Sequence, residues 1–240
     1  MPYGHHKVPD PPCEAPTRFV GDQSGWAAGD TFFGDGSGGE DTADPVLRRA
    51  AWAVIKLHAQ QRPYRLQVAA MGPVLGKRQT VPRAETMTVI CLMRQLVEHG
   101  TVESSVYYTD CNYVLITFLK GPAKLAAPLN ADLWEEFWRL VQQLKCPFVI
   151  RRVYKSHVEG WHVAAGLMPL DHVAGNTYAD EAAKFEARKW RLHHEVRTKV
   201  IDTNNKLWAI QSRLVATTLE DMEAQSAIPY EPHAASCSGK

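Results

Sequence analysis

A chain of 240 residues, 45% of them apolar, has room for one large domain or a medium domain with tails, and its formal net charge of +1 excludes a chain-wide basic surface, so any nucleic-acid-binding patch must be local. Five cysteines (Cys13, Cys91, Cys111, Cys146 and Cys237) with no CxxC pair among them argue against a disulfide framework and a cysteine-based zinc site, and fit a reducing compartment. The polar, proline-rich N-terminus lacks the apolar core of a signal peptide and no apolar run reaches membrane-spanning length, so the chain reads as intracellular, nuclear or cytoplasmic.

Residues 1–25 hold Pro2, Pro9, Pro11, Pro12 and Pro16 and little that packs, which predicts a disordered tail or linker. His5-His6 reads as part of that polar tail. A domain is predicted from residue 26 to 190. Thr31 to Gly34 is its first strand, running into Asp35-Gly36-Ser37-Gly38-Gly39. Asp-Gly signals a hairpin, while the glycines also let a ligand approach bare backbone. Arg48 to His58 reads as a second strand and Tyr64 to Leu75 as a third, an antiparallel meander. Thr80 caps a helix that carries Val89, Leu92, Met93, Leu96 and Val97 at helical spacing and ends at Gly100. Ser104 to Thr109 is a fourth strand, Cys111 to Lys120 a second helix, Leu133 to Leu144 a third and Phe148 to Tyr154 a fifth strand. A loop follows to Gly175, and a final helix begins near Asn176 or Thr177. The pattern predicts an α/β fold with a mixed five-stranded sheet, its first three strands antiparallel, flanked by helices.

Four acids fall where elements begin or end: Asp35 at the first strand, Glu85 and Asp180 in first turns of helices, and Asp110 after the fourth strand. Singly, each has an ordinary explanation in a helix cap or the helix dipole. In a mixed sheet, however, the first and fourth strands can be neighbours, bringing Asp35 beside Asp110 with Glu85 projecting over both. Carboxylates gathered this way repel one another, and all-oxygen ligands suit Mg²⁺ or Mn²⁺. A pair of such ions about 3.5–4 Å apart is a common device for cutting phosphodiesters.

Four strings at these points, Phe33-Gly34-Asp35-Gly36-Ser37, Gln79 to Glu85, Tyr108 to Val114 and Asn176 to Ala182, resemble ribonuclease H type 1, in the family's order and over roughly residues 30–190. The resemblance implies a ribonuclease H-like catalytic domain that hydrolyses the RNA strand of RNA–DNA hybrids with two Mg²⁺ ions (Mn²⁺ as an alternative), leaving 3′-hydroxyl and 5′-phosphate ends. It implies that Asp35 bridges both ions, with Glu85 and Asp110 on the first and Asp180 on the second. Tyr154-Lys155-Ser156-His157 is similar to the family's Lys-x-His before a mobile loop, making His157 the assisting histidine, with His172 as the rival. Gly36, Ser37, Gly38, Thr80, Arg83, Asn112, Lys155 and Asn176 are the implied nucleic-acid contacts. No small-molecule cofactor and no membrane partner is implied. Such domains occur free-standing and in retroelement reverse transcriptases. The alternatives are a catalytically idle nucleic-acid-binding module of a retroelement polyprotein and a related two-metal nuclease acting on DNA.

The last helix is predicted to continue past the domain as an extension over residues 191–225. Lys184, Arg188, Lys189, Arg191, Arg197 and Lys199 form a basic run along it, a candidate hybrid-binding arm or simply a solvated face. Ile201, Trp208, Val215 and Met222 recur every seven residues beside Val200, Leu207 and Leu214, a stripe that folds back on the domain or pairs with another helix, self-association included. Residues 226–240 read as a loose tail.

Overall fold

The computed structural model describes residues 8–58, 62–124, 129–153 and 163–226. In chain order the strands and α-helices are β1 (Arg18–Gly21), β2 (Asp30–Ser37), β3 (Ala51–Leu57), β4 (Leu66–Pro73), α1 (Val81–Glu98), β5 (Ser105–Thr109), α2 (Asn112–Lys120), α3 (Ala131–Val141), β6 (Phe148–Arg152), α4 (Leu170–Lys189) and α5 (His194–Ser226). They fall into two units divided between Leu192 and His193.

Every residue of β3 is buried. A strand covered on both faces belongs in the middle of a sheet with helices on either side, and the strand order is β1-β4-β3-β2-β5-β6. Alternation along β3 splits the core. Trp52 and Val54 join α1, α2 and α3 residues such as Ile90, Leu92, Val114 and Phe137. Ala53, Ile55 and Leu57 face the other way, with Ala179 and Ala183 of α4. Lys56 breaks the apolar run, yet it is buried because its ammonium donates to the carbonyls of Gly25, Ala28 and Gly29 at 3.2, 3.1 and 2.6 Å. A buried charge is tolerated on such terms.

The structure corrects the expected topology in four places. The sheet has six strands, because Arg18–Gly21, inside the expected linker, pairs antiparallel with β4, Arg18 opposite Met71. The antiparallel part therefore holds four strands, and β5 and β6 add in parallel beyond β2. β2 does not turn at Asp35 but continues to Ser37, with Asp35 opposite Ala53 and Gly36 opposite Trp52, so the Asp-Gly pair is strand and not hairpin. α4 starts at Leu170, about two turns before Asn176, with Asp171 in its first turn, where the dipole favours an acid. Finally, the last helix is not continuous: α4 ends at Lys189 and α5 starts at His194. α5, a unit of its own, carries the seven-residue apolar stripe from Ile201 to Met222.

β2 runs to Ser37 because its glycines admit α1. A Cβ on Gly36 would lie 2.6 Å from the Glu85 amide nitrogen and 2.8 Å from the Ala84 Cβ. Gly36→Ala is expected to destabilise the protein by about 1–3 kcal/mol, the usual cost of overpacking, measured as a lower urea midpoint. An unchanged midpoint would mean that the helix yields freely at this crossing.

Candidate metal centre

Strand register brings the first two acids together. β2 and β5 run parallel, with Phe32 abreast of Tyr107 and Phe33 abreast of Tyr108. Two residues further along each strand direction lie Asp35 and Asp110. The chain leaves β2 toward β3 on one side and leaves β5 toward β6 on the other, so the acids stand at a switch point of the sheet, where α/β folds open a crevice. α1 contributes Glu85 through the close approach at Gly36. Glu85 is the fifth residue of α1 and lies beyond its first turn, so the dipole explanation for it does not apply. Nor is Asp110 the cap of α2, whose N-cap is Cys111. Asp180 is the eleventh residue of α4, well inside the helix instead of in its first turns.

Asp35, Glu85 and Asp110 each offer an oxygen within 4.8 Å of the others. The oxygens around an octahedral Mg²⁺ stand about 3–4 Å apart, so small rotations bring this set to coordination distance. Asp35 is 9% exposed and Glu85 4%. Burial, then the charge of Asp110 and, more weakly, that of Asp180, push the Asp35 carboxyl up to about 7, against the help of a hydrogen bond from Glu85. The backbone N–H of Gly36 donates to Asp35 Oδ1 at 2.8 Å. Burial and the neighbouring Asp35 hold Glu85 well above the usual carboxylate range. Glu85 Oε2 is buried without a hydrogen-bond partner. An orphaned oxygen among crowded acids is costly in a protein that binds nothing there. The donor set is all oxygen, so the residues fit a hard divalent cation.

The acids open into a cleft of about 360 Å³, lined also by Gly36, Ser37, Gly38, Gly39, Thr42, Asn176, Asp180 and Lys184. Asp180 does not belong to the close trio; its Oδ2 accepts from Lys184 Nζ at 2.6 Å. Lys184 and Thr42 are cleft residues that the sequence reading did not single out as such. The signal for Lys184 was its position four residues after Asp180, one turn along the same helix face.

The remaining expected contacts divide. Gly36, Ser37, Gly38 and the buried Asn176 line the cleft. Thr80 caps α1, its hydroxyl accepting from the Arg83 N–H at 3.3 Å. Arg83 forms a forked pair with Asp132 at 3.0 and 2.6 Å, tying α1 to α3. Thr80 also borders a separate hollow of about 690 Å³ with Arg48, Lys77, Arg78 and Asn130. Asn112 is exposed at the start of α2. Lys155 and His157 lie outside the described residues. The rival, His172, rests its ring on Tyr108 at 4.1 Å and on Phe33 at 5.9 Å, and it does not line the cleft. Burial lowers its pKa, against a weaker opposing pull from Asp171. Most of the expected basic arm is engaged in ion pairs: Arg188 and Arg191 with Glu40 at 3.8 and 2.6 Å, and Lys189 with Glu186 at 3.2 Å.

No protein-family model matches the chain, and no curated protein does. Solved structures similar to it include the N-terminal RNase H domain of rv2228c from Mycobacterium tuberculosis, fused to maltose-binding protein (15% identity, 66% of this chain and 94% of that one, TM-score 0.43). The RNase H domain of prototype foamy virus is similar at 16% identity, over 66% of this chain and 93% of that one, with a TM-score of 0.47. LC11-RNase H1, solved in complex with an RNA/DNA hybrid, is similar at 12% identity, over 66% of this chain and 96% of that one, with a TM-score of 0.47. Among the described residues, no helix is long and apolar enough to cross a membrane.

Proposed function

We propose that the protein is a metal-dependent endoribonuclease that hydrolyses the RNA strand of RNA–DNA hybrids, either free-standing or within a retroelement polyprotein. The observation that carries this reading is the trio Asp35, Glu85 and Asp110, gathered within 4.8 Å around a buried, unpartnered carboxylate oxygen. Glu85 and Asp110 would hold a first Mg²⁺, Asp180 a second, and Asp35 both. Ions held there supply an activated water and neutralise charge on the scissile phosphate and the leaving oxygen. The chain's part is to present four carboxylates on rigid elements, two strand ends and two helices, so that little reorganisation remains when the phosphate arrives.

Recognition falls to the cleft walls. The backbone of Gly36, Ser37 and Gly38 offers polar groups to a 2′-hydroxyl, the feature that tells RNA from DNA. The amide of Asn176 has both donor and acceptor capacity for the same strand. Lys77 and Arg78, exposed beside Thr80, would take phosphates of the complementary strand. His157 would assist proton transfer or product release. The apolar stripe of α5 fits a helix-pairing role, self-association included.

The test is a cleavage panel of labelled RNA–DNA hybrid, RNA duplex and DNA duplex, each with Mg²⁺ and with chelator. The expected result is Mg²⁺-dependent cutting of the hybrid's RNA strand, leaving 3′-hydroxyl and 5′-phosphate ends. Equal cutting of the DNA duplex would overturn the substrate, and cutting in chelator would overturn the metal.

A further inference from the structure

We propose that α5 pairs with the α5 of a second copy of this chain, side by side and antiparallel, with Gln211 of each helix at the centre. The pairing rests on the helix-pairing role named above, gives it one partner and one direction, and is independent of the hydrolase reading.

α5 is 33 residues long, and every residue from Ile201 to Ala224 is exposed. At about 100° per residue its apolar side chains fall into two columns. Val200, Leu207 and Leu214 make one, and Ile201, Trp208, Val215 and Met222 make the other. Asn204, Gln211 and Thr218 run between them. The face spans three heptads, about 33 Å, enough for a helix pair to hold together. Trp208 is 71% exposed and Leu214 62%, so the face has much apolar surface to gain from cover.

Charge names the partner. Before Gln211 the helix carries the cations Arg197, Lys199 and Lys206 and the acids Glu195 and Asp202. After it come one cation, Arg213, and three acids, Glu220, Asp221 and Glu223. One half is therefore net basic and the other net acidic. The acids crowd the C-terminal end, where the helix dipole disfavours them, and the last turn has no basic residue. An identical helix laid antiparallel sets its basic half beside this acidic end and opposes its dipole to this one. A parallel copy in register would set acid on acid. The side chains agree on the same centre. With Gln211 opposite itself, Trp208 meets the second copy's Val215, a large side chain against a small one, as interdigitated layers require. Leu207 meets the second copy's Leu214, and Ile201 meets its Met222. A glutamine amide both donates and accepts, so two of them can bond each other across a twofold axis.

The experiment is sedimentation equilibrium of the full chain over a concentration series, with circular dichroism to follow helix content. The expected result is a reversible dimer. Trp208→Ala and Val215→Ala should each weaken it by about tenfold or more, and the double variant should fall short of the product of the two by about fivefold, the mark of a direct contact. On one helix these two residues stand about 10 Å apart, so such coupling arises between copies. Ala209→Ser, on the opposite face of the helix, should leave the dimer unchanged. Raising the NaCl concentration should loosen the dimer severalfold by screening the complementary halves. A chain that stays monomeric at every concentration would overturn the proposal, as would a dimer indifferent to Trp208→Ala. So would a dimer that tightens with salt and couples Trp208 to Leu207, as a parallel pair would. A dimer that leaves the hybrid uncut would overturn the hydrolase alone, and a monomer that cuts it would overturn the pairing alone.

Discussion

Asp35→Asn is expected to lower Mg²⁺-dependent hybrid cleavage by at least about a thousandfold, the upper end of what losing one transition-state-stabilising group costs. The charges of Asp110, just beyond the end of the neighbouring strand, and of Asp180 on α4 both act on Asp35. It is therefore the residue on which both ions would depend. Asparagine keeps the shape but replaces one ligand oxygen with an amide nitrogen that carries hydrogens and cannot coordinate. The backbone pairing with Ala53 and the contacts of Gly36 are untouched, so the fold and the cleft walls should persist. Hybrid affinity, measured by filter binding, should accordingly stay near wild type while single-turnover cleavage vanishes. A variant that still cuts would remove Asp35 from the metal-binding role. One that neither binds nor cuts would mean that the substitution damages the cleft.

The second large effect is on stability, and it runs against the usual direction for a carboxylate. In the unfolded chain Asp35 titrates near the ordinary 3.8, and in the folded protein burial, then Asp110 and Asp180, raise it to about 7. Between those values the folded state binds the proton and the unfolded state does not. The associated stability is fully present below pH ~4 and is lost as pH climbs through ~7, by about 1.4 kcal/mol for each unit of separation. Glu85, raised in the same direction, adds to the loss. Metal-free protein should therefore melt lower at pH 8 than at pH 5, by several kcal/mol in free energy. Asp35→Asn should flatten that slope, and Mg²⁺ at pH 8 should restore the melting temperature by binding only the folded state. A metal-free melting temperature that rises from pH 5 to pH 8 would show that these acids are well solvated and uncrowded.

How much of this was legible in the sequence depends on the range of the interaction. Thr80 as a cap, the amphipathic faces of α1 and α3, and the apolar run of β3 all follow from residues a few positions apart, and the elements predicted between Thr31 and Tyr154 lie within about three residues of the observed ones. The acids were visible as unexplained charges at element ends, but their gathering rests on the β2–β5 register, which joins positions far apart in the chain. β1 was missed because four residues among prolines carry no local signal; its partners are Met71 in β4 and, through Arg18, Glu186 in α4. The start of α4 was missed for a subtler reason. Gly175 is a poor helix former and reads as a breaker. In the structure it lies inside the helix, because a Cβ there would run into the ring of Phe33. The helix break after Lys189 has no proline or glycine to announce it. Lys184 was visible as one cation of a basic run, and only the cleft gives it a separate meaning.

The spread of the four acids from residue 35 to residue 180 has a consequence for synthesis. A ribosome delivers the whole sheet before it releases α4, because β6 ends at Arg152 and Asp180 comes later. Domains fold as their segments emerge, so a nascent chain can hold a nearly finished sheet with an incomplete ligand set. On the proposed function, cleavage would then begin only when the last helix of the first unit docks. A chain released early, before Asp180 is translated, would carry the strands and the crowded trio but not the residue that completes them.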